Sequence, residues 1–126
     1  MEWIGVDLDG TLAVMAPEGE WSSIQRDDGA WEVGAPIMPM VKRVRRWLAA
    51  GVRIKIVTAR VAAPCGHSTV MAHVGLINAW CREHLKHTLP IVAEKDLSML
   101  VLYDDRCVQV EENTGKILGV EPTFLT

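Results

Sequence analysis

The sequence predicts an α/β domain built on a central parallel sheet, and three observations carry that prediction. Short apolar runs at residues 3–6 and 100–103, and the segment Val52-Arg53-Ile54-Lys55-Ile56-Val57, read as strands. Amphipathic stretches at 39–50 and 69–87, with apolar residues at helical spacing, separate them. The strands end in polar residues: Asp7, Thr58 and Asp104. Strands alternating with helices imply right-handed crossovers and helices on the faces of the sheet. In such sheets ligands sit outside the carboxyl ends of the strands, so three separated segments are expected to bring polar groups to one edge.

The first strand, Trp3-Ile4-Gly5-Val6, runs directly into Asp7-Leu8-Asp9-Gly10-Thr11. Residues two apart in extended backbone point to the same side, so Asp7 and Asp9 share a face unless the turn at Gly10 swings the second away. Like charges that close are tolerated when a cation lies between them or one carries a proton. A metal site, an acid/base pair, or both are the readings. Residues 14–36 hold Pro17, Gly19, Gly29, Gly34, Trp21 and Trp31, and read as a long loop or hairpin flap turning near Asp28-Gly29. Helix 39–50 places Val41, Val44 and Leu48 on one stripe, and Gly51 suits the left-handed position that closes it. The strand over 52–57 ends at Thr58-Ala59-Arg60. Helix 69–87 aligns Val70, Val74, Ile77, Cys81 and Leu85, leaving His73 and His87 to the surface. A weak strand over 90–93, a strong one over 100–103 and a terminal hairpin about Asn113-Thr114-Gly115 complete the chain.

At 126 residues the chain fits one domain over 1–126. It is 49% apolar and 23% charged with net charge −3, which makes non-specific nucleic-acid or membrane binding a poor expectation. No apolar stretch approaches the ~20 residues of a membrane span, and two aspartates interrupt the place of a leader's apolar segment. Three widely spaced cysteines argue against a disulfide framework and for a reducing, cytoplasmic setting.

Val6-Asp7-Leu8-Asp9-Gly10-Thr11, Thr58, Lys95 and Asp104-Asp105, in that order across residues 7–105, resemble the four motifs of the haloacid dehalogenase (HAD) superfamily, in its phosphatase branch. The nine-residue separation of Lys95 and Asp104 is similar to that of compact phage- and prophage-type members. The resemblance implies a HAD-like (Rossmann-like) three-layer sandwich with no large cap domain and a short flap, 14–36, after the first strand. It implies a phosphoric monoester hydrolase that uses Mg²⁺. Asp7 is then the nucleophile that forms an aspartyl-phosphate. Asp9 is the general acid/base, with its backbone carbonyl also on the metal. Asp104 completes the metal shell, with Asp105 in it directly or through water. Thr58 and Lys95, with Gly10, Thr11 and Ala59, hold the phosphate. The expected substrate is a phosphorylated small molecule, a nucleotide or a nucleic-acid end, and a homo-oligomer is a means of covering the open site. The second aspartate, absent from dehalogenase-type members, points to a leaving oxygen that needs a proton.

The chemistry is coherent on its own terms. An anionic ester repels an attacking carboxylate unless a divalent cation intervenes, and Mg²⁺ takes one or two carboxylates plus waters and phosphate. Covalent attack divides a hard displacement into two easier ones, and a general acid supplies the leaving oxygen's proton. Hydroxyl, backbone N–H and ammonium groups stabilise the equatorial oxygens.

Competing readings are weaker. A calcium-binding EF-hand loop needs its glycine sixth and a helix before it, whereas Gly10 is fourth and a strand precedes. A receiver-like phosphoaspartate signalling domain uses similar groups, but its phosphorylated aspartate ends a later strand. A metal-binding interaction module with little turnover is the other rival. Cys65, His67, Cys81 and His84 are too loosely spaced for a zinc site. The basic run 42–46 reads as a solvated helix face, and Arg60 and Arg106 as structural or substrate-lining. Trp21 and Trp31 are equally suited to stacking a ligand or to stapling the flap.

Overall fold

A computed structural model describes residues 1–125. Strand β1 (Trp3–Asp7) leads through the flap to helix α1 (Met38–Ala49) and strand β2 (Ile54–Val57). Helix α2 (His67–His84) follows, then β3 (Ile91–Val92), β4 (Met99–Tyr103), and the short strands β5 (Gln109–Val110) and β6 (Ile117–Leu118). The main sheet has the order β3-β2-β1-β4 with every pairing parallel. The terminal hairpin expected from the sequence forms as a separate antiparallel pair, β5 with β6.

The register sets Ile4 beside Ile54 and Val6 beside Ile56, so these side chains form one inward row. Val41 and Val44 of α1 and Ile77, Trp80, Cys81 and Leu85 of α2 pack on that row as a single core. The two helices are also tied together, because Arg45 Nε donates to the His84 carbonyl at 2.7 Å. Both therefore cover the same face. The other row includes Trp3, Gly5, Val57 and Leu102. Among the described residues the expected α/β architecture is present as a parallel four-stranded sheet flanked by helices. The β3–β4 connection is a short loop over residues 93–98. That loop is anchored where Trp3 Nε1 donates to Asp96 at 2.9 Å.

Helix α1 ends as its sequence requires: Gly51 has φ +81° and its N–H returns to the Leu48 carbonyl. Helix α2 starts two residues before the expected position, and residues 59–65 form two short 3₁₀ turns ahead of it. Val70 and Val74 are half-buried, while His73, expected on the surface, is 0% exposed. His73 lies one turn before Ile77 and so shares its stripe. No helix among the described residues is long and apolar enough to cross a membrane.

Candidate metal and phosphate site

Asp7 closes β1 and Asp104-Asp105 follow β4, its parallel neighbour, so strand pairing alone brings them to one edge. One carboxylate oxygen from each of Asp7, Asp104 and Asp105 lies within 4.8 Å of the others. Thr11, 8% exposed, ties the group together. Its hydroxyl lies 3.3 Å from Asp7 Oδ2 and 3.1 Å from Asp105 Oδ1, and it accepts the Asp105 N–H at 3.2 Å. The hydroxyl expected to bind phosphate is thus engaged with the carboxylates. Gly10 allows the approach: φ is +93°, and an added Cβ would sit 2.5 Å from Asp105 Oδ2.

Burial, a hydrogen bond with Asp105 and the charges of Asp104 and Asp105 push the Asp7 carboxyl up to about 7, against the opposing pull of the Thr11 hydroxyl. Such a shift marks negative charge without a counter-ion. The donor set fits a hard divalent cation: all ligands are oxygen, and opposite ligands lie about 4 Å apart around Mg²⁺ and about 5 Å around Ca²⁺. Asp7 titrates near 3.9 when unfolded and about 7 when folded. Between those values the folded state holds the extra proton, so metal-free stability falls as pH rises through this window and then levels. Added Mg²⁺ is expected to raise the melting temperature clearly near about pH 8 and little near about pH 5, where protons compete with the cation. Equal shifts at both values in thermal melts would contradict this.

Asp9 does not join the cluster. The turn at Gly10 aims it at Arg60, whose Nε and Nη2 reach its two carboxylate oxygens at 2.8 and 2.9 Å. Arg60 is 5% exposed in its side chain and Asp9 16%, so this is an enclosed bidentate pair. Arg60 also donates to the backbone carbonyls of Trp31 and Glu32, which fastens the flap to the loop after β2. His73 completes the knot. Its Nδ1 meets the Arg60 carbonyl at 2.7 Å and its Nε2 accepts the Trp31 N–H at 3.1 Å, a pattern that requires a neutral ring protonated on Nδ1. Burial lowers its pKa, consistent with the neutral form. The Trp31 ring stacks on His73 at 5.5 Å, so Trp31 is a staple. Arg60 was legible only as a polar residue just past a strand end, and His73 only by its helical spacing from Ile77.

Thr58 is buried at the end of β2, where its hydroxyl accepts the Arg60 N–H at 3.2 Å. Thr58, Ala59, Asp7, Asp9 and Asp104 line one cavity of about 650 Å³. Lys95 does not line it. Asp96 is held by Trp3, and the exposed Lys95 lines a neighbouring cleft with Lys55 and Trp3 instead. The basic residues lining the cavity are Arg60, paired with Asp9, and Arg106. The Arg106 backbone N–H donates to Asp104 Oδ1 at 2.8 Å. Cys65, Cys81 and Cys107 are free thiols, and burial pushes the Cys81 thiol up to about 12. Among the described residues the one cluster suited to a metal ion is the aspartate triad, with no cysteine or histidine in it. Comparison of the chain with protein families, with curated proteins and with solved structures found no match.

Proposed function

We propose that this chain is a metal-dependent phosphomonoester hydrolase of HAD type. The observation that supports it is the meeting of Asp7, Asp104 and Asp105 at the carboxyl edge of two parallel strands. Asp7, Asp104 and Asp105 would hold a divalent cation, which neutralises the ester's charge and the carboxylates' mutual repulsion. The Asp7 carboxylate attacks phosphorus, the P–O bond to the leaving group breaks, and the departing oxygen takes a proton. Water then attacks the same phosphorus, the bond to Asp7 breaks, and free phosphate leaves. Asp9 is the proton donor and then the acceptor. For that it must exchange its bond with Arg60 for one with substrate, while Arg60 keeps the two flap carbonyls.

The enclosed Asp9–Arg60 pair favours a second reading, a metal-binding module that does not turn over, because it engages the acid the chemistry needs. One assay separates them. Phosphate release from phenyl phosphate, nucleoside monophosphates and 5′-phosphorylated oligonucleotides is expected with Mg²⁺ and not with EDTA. Mg²⁺ binding with no release from any ester favours the module.

A further inference from the structure

Resting on the hydrolase reading, we propose that the substrate's leaving group carries a flat aromatic ring, a nucleobase or an aryl group, seated against Trp21. The cavity at the carboxylates, about 650 Å³, is within the range of small-ligand sites and large enough for a phosphate with a ring attached. Away from the acids its lining includes Met15, Trp21, Trp31, Val57, Ala62 and Ala93. Its only neutral hydroxyl or thiol side chains among the described residues are Thr58, whose hydroxyl already accepts the Arg60 N–H, and Cys65. A polyhydroxylated leaving group would give up water there and find few partners, whereas a ring finds apolar surface. Before a ligand binds, Arg60 already serves Asp9 and two flap carbonyls. That leaves Arg106 as the cation for the phosphate.

Trp21 is the residue built to receive the ring. It is half-buried and set edge-on to Trp31 at 5.9 Å and 81°, with the Arg60 guanidinium 5.5 Å from its centroid. Trp31 is itself fixed on His73. The indole is therefore held in place before any ligand arrives, which keeps the entropy cost of stacking low. Its N–H has no hydrogen-bond partner among the described residues and remains available as a donor.

The test is kinetic, with Mg²⁺ and the full chain. KM for thymidine 5′-monophosphate and for phenyl phosphate is expected to lie at least about tenfold below KM for glycerol 3-phosphate, in keeping with the strength of base–aromatic stacking. Whichever of the two binds tighter tells nucleobase from aryl. Trp21→Ala should raise KM for the ring-bearing esters at least about fivefold more than for glycerol 3-phosphate, and Trp21→Phe should restore most of it. Equal KM values for ring-bearing and ring-free esters, or a parallel rise for all in Trp21→Ala, would overturn the ring seat while leaving the hydrolase reading intact. If no ester is hydrolysed, the hydrolase reading fails, and ligand-observed NMR of phenyl phosphate still decides the seat. Ring protons contacting wild type but not the Trp21 variants support it; no contact with wild type rejects it.

Discussion

Asp7→Asn is expected to abolish phosphate release and, at the same time, to make the metal-free protein more stable above about pH 7. The two effects have one origin. Asp7 is half-buried beside Asp104 and Asp105, and its carboxyl is pushed up to about 7 because that charge is unwelcome without a counter-ion. An amide keeps the shape and removes the charge, so the repulsion disappears. Yet the amide cannot attack phosphorus, and removal of a covalent nucleophile lowers turnover by roughly 10⁴- to 10⁶-fold in comparable enzymes. Functional groups held at a cost in stability behave this way. Parallel assays of phosphate release and thermal unfolding near about pH 8 read both consequences. Retained activity would rule out covalent attack by Asp7. A lower melting temperature would show that Asp7 is structural. The variant should also lose most of the melting-temperature gain from Mg²⁺, since one of three carboxylates is gone.

Arg60→Met is expected to be the most damaging single change to the fold. The guanidinium makes hydrogen bonds to both oxygens of Asp9 and to the carbonyls of Trp31 and Glu32, from a position 5% exposed. Its removal leaves a largely enclosed carboxylate without a counter-charge and two flap carbonyls without donors. Breaking one side of a buried pair costs about 3–5 kcal/mol, which for a domain of this size corresponds to a fall of about 10–20 °C in melting temperature. Asp9→Asn added to Arg60→Met should recover part of that loss, because the stranded charge goes with it. A fall below about 3 °C in scanning calorimetry would show that the pair contributes no more than an exposed ion pair does. Faster proteolysis within residues 14–36 is the local sign that the flap has come free.

The same region separates what was readable along the chain from what was not. Val6-Asp7 and Tyr103-Asp104 each set an acid at the end of an apolar run, and parallel pairing aligns such ends, so their meeting followed from local pattern and one topological rule. Helix α1 and the terminal hairpin were equally legible, because amphipathic spacing and turn residues act over a few positions. Lys95 was not. Its expected place rested on its distance along the chain from Asp104, whereas its position depends on the Trp3–Asp96 contact, which carries the loop toward the neighbouring cleft.

By itself, then, the sequence determined the parallel sheet, the carboxylates at its edge and the flap that follows the first strand, since periodicity and chain order are local properties. Only the tertiary structure decided that Asp9 faces Arg60, that His73 is a buried neutral link and that Trp31 staples the flap while lining the cavity beside Trp21. Those outcomes belong to long side chains meeting across 13 to 51 residues of sequence. Such meetings are selected by desolvation and hydrogen-bond satisfaction in the packed state, and no short stretch of chain records them.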